Sequence, residues 1–483
     1  MHVDTEVPGG AVRGWTEAGL AVFRGIPYAS LPVRFGEPRP VRPWPGVREA
    51  TAYGPPPPQS GAMGAASRGT ADRDDGTGDG WLTVNVWSPD LEGHLPVMVW
   101  IQGGAYVYGT SGLPEYDGAT LARRGVVVVT FNYRVGLEGF GLVEGTPPNR
   151  GLLDQVAALE WVRDAIGAFG GDPSRVTVFG QSAGGGSVAA LLAMPRAQGL
   201  FHRAIAQSVP GTYFTPALAA DVTRACAAEL DVAPKDLPRL DPDLLSLAGD
   251  AVLTRVEEYA DPWGRAAHAR VPFAPVVDGD VLPATPWQGL TGRIPLVVGH
   301  TRHEQRLLSA LTGVLGQVTE TQAAVSADVF APDPRRYREL FADPEELYDV
   351  VRSDWLFRMP SLWLAESQVA AGGVAHVYEL TWPAPGMGGV LGACHGLDVP
   401  LVFGNLRAGQ TAMLIGEPGP EAEALSAQMG AAWVAFATDG DPGWPTFDAG
   451  ATRVFDVEPR VTAYPEQVSR EIWTRCPAVL DLA

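Results

Sequence analysis

The order of apolar and amphipathic segments predicts an α/β protein with a large, mainly parallel central sheet flanked by helices. Two runs, 96–102 and 126–132, are apolar along their whole length, which is typical of parallel strands buried on both faces. A helical pattern follows at 151–168, with Asp154 in its first turn, and a strand, a glycine turn and a second helix follow in 169–194. Strands that alternate with helices in this way favour a parallel sheet.

The remaining segments fit the same plan, and we interpret 1–483 as one domain. Short antiparallel strands are expected within 11–28, and the irregular, proline-rich segment 54–80 is expected to be a surface loop, with a flap over a substrate gorge as the alternative. Helical insertions that line this gorge are expected at about 212–290 and 305–372. Further patterns predict an alternating strand at 81–88, strands at 204–207, 295–299 and 374–380, a helix at 422–438 and a final edge strand at 453–457.

Composition excludes several kinds of partner. The 483 residues include 55 acidic and 35 basic side chains, a formal net charge of −20. We expect no nucleic-acid partner and no anionic membrane surface, because no basic stripe is available to neutralise phosphates. No apolar run reaches the roughly 18 residues of a membrane span, and the first residues lack a basic and apolar leader. With only three, widely spaced cysteines, these features predict a cytoplasmic protein.

The sequence GQSAG at 180–184 is a Gly-x-Ser-x-Gly motif between an apolar run, 176–179, and a helical pattern at 187–194. In the order strand, tight turn, helix, this motif predicts a nucleophile elbow that exposes the hydroxyl of Ser182 above the sheet. Glycines allow such a strained turn to close. The backbone N–H of Ala183 and the positive end of the helix then face any developing oxyanion.

A serine nucleophile needs a histidine base, and the base needs a carboxylate that fixes its tautomer. Around a nucleophile elbow, the usual chain order is serine, acid, histidine. His395 stands in a glycine-flanked loop and is the best candidate base, whereas His376 opens a strand pattern and is expected to be a packed or edge residue. Glu304 fits the acid because it follows the strand at 295–299, and Asp398 is a second candidate that we interpret as a supporting group behind the histidine.

The sequence GGA at 103–105 follows the strand at 96–102 and is the candidate oxyanion loop. Small residues there let backbone N–H groups approach a substrate closely, although an ordinary glycine turn is the alternative. The candidates for substrate binding are Tyr106, which follows this loop, and Gln181, which precedes Ser182.

Together these segments resemble the type-B carboxylesterase/lipase family, which includes the cholinesterases and bacterial p-nitrobenzyl esterases. The resemblance covers nearly the whole chain. The stretch 169–184 looks like the family's serine signature, and 79–89 (DGWLTVNVWSP) is similar to its second signature. Other blocks that resemble the family are 23–29 (FRGIPYA), 132–140 (NYRVGLEGF), 149–162, 403–405 and 432–445.

The resemblance implies an α/β-hydrolase fold with Ser182 as the nucleophile, Glu304 as the triad acid and His395 as the general base. For Glu304, the resemblance carries most of the weight. No metal or cofactor is required for this chemistry. The resemblance also implies an oxyanion hole built from the backbone N–H groups of Gly104, Ala105 and Ala183.

The chain departs from the family pattern at several positions. Trp81 stands where the second signature normally has a cysteine, and the expected partner near Pro57 is also missing, so the family's disulfide is absent here. Gln102 stands where histidine or tyrosine is frequent, and a valine and a proline follow Ser208 where the family usually has a glycine. Gln181 replaces a frequent glutamate. These changes affect the pocket rather than the triad.

The expected activity is hydrolysis of a small-molecule carboxylic ester through an acyl-enzyme on Ser182, by a monomer or homodimer. Because Gln181 lacks the negative charge of a glutamate, neutral and moderately apolar esters are expected to be preferred over choline esters. A carbamate or amide hydrolase with the same residues is the alternative. A sterol-ester or triglyceride lipase is disfavoured because 54–80 is too polar for a lid, and a non-catalytic adhesion module is disfavoured because the candidate residues are present.

Overall fold

In the computed structural model, the described residues form a central sheet of 13 strands. The structure describes residues 1–59, 80–410, 412–474 and 479–483. Most of the predicted loop at 54–80, and with it the interpretation of this loop as a flap, therefore lies outside the described residues, as does Cys476. The strands are β1 (His2–Val7), β2 (Gly10–Glu17), β3 (Leu20–Pro27), β4 (Val47–Glu49), β5 (Thr83–Ser88), β6 (Leu95–Ile101), β7 (Val127–Phe131), β8 (Gly171–Gln181), β9 (Arg203–Gln207), β10 (Leu296–Thr301), β11 (Ala375–Leu380), β12 (Ala451–Phe455) and β13 (Arg460–Ala463).

The sheet has a parallel centre and antiparallel margins. Its strand order is β1-β2-β3-β5-β7-β6-β8-β9-β10-β11-β12-β13, with β4 beside β2. Every neighbouring pair between β7 and β12 is parallel. The pairs from β1 to β7 along this order, and β12 with β13, are antiparallel. The predicted mainly parallel sheet and the antiparallel strands within 11–28 are thus confirmed.

The central strands separate two apolar cores, one on each face of the sheet. Along β6, Val97 and Val99 belong to one core, whereas Met98 and Trp100 belong to the other. All four side chains are buried. Because helices cover both faces, this strand is apolar at successive positions instead of alternating with polar residues.

Helices connect the parallel strands and cover the sheet. The α-helices are α1 (Ala119–Ala122), α2 (Gly136–Phe140), α3 (Arg150–Ala165), α4 (Ala183–Ala193), α5 (Pro216–Glu229), α6 (Pro242–Thr254), α7 (Ala260–Trp263), α8 (Arg265–His268), α9 (Pro286–Gly289), α10 (Glu304–Leu311), α11 (Glu320–Phe330), α12 (Pro334–Leu340), α13 (Pro344–Ser353), α14 (Met359–Ala370), α15 (Asp398–Phe403), α16 (Ala412–Ile415), α17 (Pro420–Asp439) and α18 (Gln467–Ile472). A π-helix spans Asp354–Arg358, and 3-10 helices span Pro114–Tyr116, Ile166–Phe169, Pro195–Ala197, Pro234–Arg239, Val256–Tyr259, Gly386–Gly389 and Phe447–Ala449.

The two segments predicted as insertions contain helices in the structure. Helices α5 to α9 fall within 212–290, and α10 to α14 occupy most of 305–372. That these helices line a substrate gorge stays a prediction. Within the described ranges, no helix is both long and apolar enough to cross a lipid bilayer.

Three details of the predicted fold are wrong. The segment 81–88 was expected to alternate, but β5 is buried at every position because it lies inside the sheet between β3 and β7. The strand β12 is not the edge, since β13 pairs beyond it and exposes most of its side chains, as edge strands do. Asp154 lies beyond the first turn of α3, where it forms a buried ion pair with Arg134.

Candidate active site

Ser182 lies at the sharp turn between β8 and α4, as the elbow motif predicts. Its backbone has φ 58° and ψ −127°, a positive-φ conformation that is strained for a residue with a side chain. The N–H of Ser182 donates to the carbonyl oxygen of Gln207 at 3.0 Å, which ties the turn to the end of β9. The sheet therefore holds this serine in a conformation that the chain would not adopt by itself.

The glycines of the motif are required by close backbone contacts. A Cβ atom on Gly184 would lie 2.0 Å from the carbonyl oxygen of Ile101, and one on Gly180 would lie 2.6 Å from backbone atoms of Gly184. A Cβ atom on Gly185 would lie 2.4 Å from the carbonyl oxygen of Gln207. Such approaches are too short for real carbon atoms. The first turn of α4 can therefore pack against the ends of β6 and β9 only because these positions carry no side chain.

His395 and Glu304 lie together on loops that follow neighbouring strands. Glu304 is the first residue of α10, just after β10, and His395 lies in the loop between β11 and α15. The Nδ1–H of His395 donates to Oε2 of Glu304 at 2.5 Å. The two loops are joined by a backbone hydrogen bond from the N–H of His303 to the carbonyl oxygen of Ala393, at 2.9 Å. Because Nδ1 of His395 donates to Glu304, Nε2 is the ring atom that can accept a proton.

Glu304 is fully buried and is held as a carboxylate by three donors. Besides His395, the hydroxyl of Ser208 donates to its Oε1 at 2.6 Å and the N–H of Thr301 donates to the same atom at 2.8 Å. Burial by itself raises the pKa of this carboxyl, but its charge interaction and hydrogen bond with His395 and the other two hydrogen bonds outweigh burial, so the pKa lies below its ordinary value of 4.5. The group is therefore ionised at neutral pH.

Asp398, the second candidate acid, does not contact the histidine ring through a hydrogen bond. Its Oδ2 accepts from the side-chain amide of Gln207 and from the hydroxyl of Tyr378, each at 2.8 Å. Burial raises the pKa of Asp398. The structure therefore pairs His395 with Glu304 and leaves Asp398 behind the pair.

The candidate oxyanion loop lies against the elbow. A Cβ atom on Gly103 would be 3.2 Å from Cβ of Ser182, so the two backbones nearly touch. Gly104 and Ala105 both have positive φ values, 116° and 53°, and Ala105 is exposed. In the part of the chain that the structure describes, no hydrogen bond occupies the N–H groups of these two residues. These donors and the N–H of Ala183 at the start of α4 are thus available beside the serine.

The two candidate substrate-binding side chains differ in their surroundings. Gln181 is only 6% exposed, and its Nε2 lies 3.1 Å from Nε2 of His395. Tyr106 is only 2% exposed and packs against Phe140, with the ring centroids 4.7 Å apart. Gln181 is therefore part of the hydrogen bonding at the candidate site, while Tyr106 lies in the core behind the candidate oxyanion loop.

Three other histidines, which lie in or just after β10 and β11, have different partners. Nε2 of His300 lies 3.0 Å from the hydroxyl of Tyr464, and Nδ1 of His376 lies 2.9 Å from the carbonyl oxygen of Trp444. Burial lowers the pKa of His300 to about 4 and that of His303 to about 3, so both rings are neutral near pH 7. As expected, His376 is a packed residue.

Two residues that the sequence did not indicate complete the surroundings of the pair. Ser208, which has φ 50°, donates a hydrogen bond to Glu304. The only feature of the sequence that pointed to this position was the unusual Val-Pro pair that follows it. Phe357 stacks on the ring of His395 at a centroid distance of 4.2 Å. It lies in the π-helix at Asp354–Arg358, a feature that often marks functional sites but has no sequence signature.

No group of three or more His, Cys, Asp or Glu side chains in the described ranges is arranged to hold a metal ion. The arrangement present is one of proton transfer and nucleophilic attack: a serine on a strained turn, a histidine whose Nδ1 is held by a buried carboxylate, and free backbone donors beside the serine.

Comparison with known proteins agrees with this chemistry. The family model described as "Carboxylesterase family" matches residues 1–471. A para-nitrobenzyl esterase of Bacillus subtilis (strain 168) is 36% identical over 486 residues, which cover 96% of each chain. A phenmedipham hydrolase of Pseudarthrobacter oxydans is 33% identical over 467 residues, which cover 91% of this chain and 92% of that protein.

Solved structures of similar enzymes have the same fold. A PNB esterase superposes with a TM-score of 0.85 at 34% identity, covering 98% of this chain and 100% of that one. A carboxylesterase of Geobacillus stearothermophilus, EST55, gives a TM-score of 0.84 at 33% identity, with the same coverage. These neighbours are carboxylesterases of the α/β-hydrolase fold, which confirms the predicted fold class. The chain therefore belongs to the carboxylesterase family and is a serine carboxylesterase.

Proposed function

We propose that Ser182, Glu304 and His395 form the catalytic triad of this esterase, with Ser182 as the nucleophile. The observation that carries the proposal is the 2.5 Å hydrogen bond from Nδ1 of His395 to Glu304, together with the strained turn that presents Ser182. A histidine held in this way has its Nε2 lone pair free to take a proton, which is what activation of a serine requires.

In the first step, Nε2 of His395 takes the proton of the Ser182 hydroxyl while Oγ attacks the ester carbonyl carbon. The negative charge that develops on the carbonyl oxygen is accepted by the oxyanion donors, each worth on the order of 3 kcal/mol in related enzymes. Glu304 stabilises the imidazolium that forms. The oxyanion donors are the N–H groups of Gly104, Ala105 and Ala183.

The tetrahedral intermediate collapses when the bond to the alcohol oxygen breaks. His395 returns the proton from Nε2 to the leaving alcohol, and the acyl group stays on Oγ of Ser182. Water then attacks the acyl carbon while Nε2 of His395 takes its proton; the bond to Oγ breaks, His395 returns the proton to Ser182, and the acid product leaves. Apart from the ester and this water, no group outside the chain is needed to balance these steps.

Replacement of the nucleophile tests the assignment. Ser182→Ala is expected to lower kcat for p-nitrophenyl butyrate by a factor on the order of 10⁴ or more, while the circular dichroism spectrum stays that of the wild type. Ser174→Ala, at an exposed position near the start of the same strand, serves as the control and should keep full activity. Near-full turnover by Ser182→Ala would show that another group attacks the ester.

We further propose that the enzyme prefers neutral, moderately apolar esters. A glutamate at position 181 would place a negative charge beside the nucleophile, and Gln181 places none there. Attraction of a cationic alcohol group is therefore weaker. The neutral 3,3-dimethylbutyl ester should have a higher kcat/KM than the choline ester of the same acid. A higher kcat/KM for the choline ester would contradict the proposal.

We also propose that the enzyme works in the cytoplasm. Cys226 and Cys394 are buried and unpaired, and Trp81 stands where relatives with the second signature normally carry a disulfide cysteine. Unpaired thiols are typical of a reducing compartment. Fractionation of cells that express the full chain tests this location, and recovery of the enzyme outside the cytoplasmic fraction would contradict it.

A further inference from the structure

The basic nitrogen of His395 already has a hydrogen-bond partner in this structure, and it is not the serine. Because Nδ1–H donates to Glu304, Nε2 of the neutral ring carries a lone pair and accepts hydrogen bonds. Nε2 of Gln181, an amide nitrogen that can only donate, lies 3.1 Å from it. Among the described residues, no hydrogen bond joins Ser182 to His395.

The amide of Gln181 and the ring of His395 meet in a largely buried position. Gln181 and His395 are only 6% and 7% exposed, so water competes little for either group. The amide nitrogen lies beside Gly396, 3.9 Å from where a Cβ atom on that glycine would be. The amide oxygen lies beside Gly103, 3.4 Å from where a Cβ atom there would be. The stacked ring of Phe357 restrains the imidazole as well. The side chain thus spans the gap between the histidine loop and the oxyanion loop.

We propose that Gln181 is a positioning residue that caps Nε2 of His395 in the resting enzyme and must release it before Ser182 can be activated. The inference rests on the catalytic roles proposed above and adds a step to them. The amide donor and the serine hydroxyl compete for one lone pair, so the enzyme pays a conformational cost in each cycle. Loss of the donor removes that cost, and hydrolysis becomes faster.

A carboxylate at position 181 has the opposite effect. Ionised glutamate only accepts hydrogen bonds, so it pairs with His395 when Nε2 carries a proton. Glu304 already accepts from Nδ1 of this ring, and the buried carboxyl of Asp398, three residues further along the chain, is close enough to interact with the charge of the ring. An added carboxylate at Nε2 favours the protonated ring and removes the base at mildly acidic pH.

The experiment compares Gln181→Met, which keeps the length but removes the donor, with Gln181→Glu. The control is Gln198→Met at an exposed position. For each, kcat and KM for p-nitrophenyl acetate are measured from pH 5 to 9. Gln181→Met should raise kcat about fivefold with KM unchanged, the change that corresponds to a net hydrogen bond of about 1 kcal/mol. Gln181→Glu should shift the acid limb of the profile to higher pH, and the control should match the wild type.

Equal or lower activity of Gln181→Met, with both variants keeping the wild-type pH profile, overturns the inference, since this is what a purely structural role gives. A crystal structure of the wild type at neutral pH decides the matter if a variant does not fold. Gln181 Nε2 within 3.5 Å of His395 Nε2 supports the cap, and a Ser182–His395 hydrogen bond with the amide turned away overturns it. The Ser182→Ala variant distinguishes failure of the proposed cap from failure of the proposed triad. Full activity of this variant would contradict the triad itself, whereas an inactive variant leaves the triad in place and confines the failure to the cap.

Discussion

At Glu304, burial and hydrogen bonding act on the pKa of the carboxyl group in opposite directions. The carboxyl group has no exposed surface, yet its pKa is held below 4.5 because His395, Ser208 and Thr301 all stabilise the charged form. In the unfolded chain these partners are absent. Protonation is therefore easier in the unfolded state than in the folded one, and the stability of the enzyme is linked to pH through this group.

We expect Glu304 to make the enzyme sensitive to acid. Since its folded pKa is lowered, its contribution to stability is present above the ordinary value of 4.5 and is lost as the pH falls below that value. Urea denaturation of the wild type and Glu304→Gln from pH 6 to pH 3 should show a smaller loss of unfolding free energy in the variant. Glu320→Gln, an exposed control, should follow the wild type, and parallel curves for the wild type and Glu304→Gln would contradict the argument.

At the scale of single residues, the sequence was enough to name the members of the candidate site but not all of their contacts. Ser182, Glu304 and His395 follow from a motif, from chain order and from the family resemblance. The hydrogen bond from Ser208 to Glu304 and the contact of Gln181 with His395 depend on side-chain rotamers and on loops that meet only in the folded chain. A sequence pattern contains no information of that kind.

At the scale of elements, apolar patterns were sufficient to predict strands that are buried on both faces and long helices. The runs at 96–102 and 126–132 became β6 and β7, and the pattern at 422–438 became α17. The edge strand β13 was not predicted, because an edge strand needs few apolar residues and the sequence RVTA has too few for a pattern. The π-helix was also missed, since it differs from an α-helix only in its hydrogen bonding.

The order of strands in the sheet explains how distant segments meet at one site. Ser182 follows β8, Glu304 follows β10 and His395 lies in the loop after β11, while β8, β9, β10 and β11 are consecutive parallel neighbours. Parallel strands place their carboxyl ends at one edge, so loops from separate parts of the chain converge there. The candidate oxyanion loop, which follows β6 beside β8, reaches the same edge. The site is thus a property of the whole sheet.

A buried ion pair joins three distant parts of this molecule. Arg134, which follows β7, pairs with Asp154 of α3 through two side-chain contacts of 2.8 and 2.7 Å, and both side chains are fully buried. The same guanidinium donates to the carbonyl oxygens of Arg34 and Gly36 at 2.7 and 2.9 Å. The pair therefore holds the N-terminal segment and a helix to the end of a central strand.

Removal of one member should destabilise the fold strongly, because it leaves an uncompensated buried charge. We expect Asp154→Ala to lower the free energy of unfolding in urea by about 3–5 kcal/mol. Asp164→Ala breaks an ion pair with Arg163 in the same helix whose side chains are about half exposed, and it should cost less than about 1 kcal/mol.

The double variant Arg134→Leu/Asp154→Leu separates the charge from the packing at this position. With both charges gone, no unpaired charge stays buried, so much of the stability lost in Asp154→Ala should return. If the double variant is as unstable as the single one, the hydrogen bonds of Arg134 to the N-terminal carbonyls matter more than the ion pair. A stability of Asp154→Ala within about 1 kcal/mol of the wild type would show that the pair does not hold these three parts together.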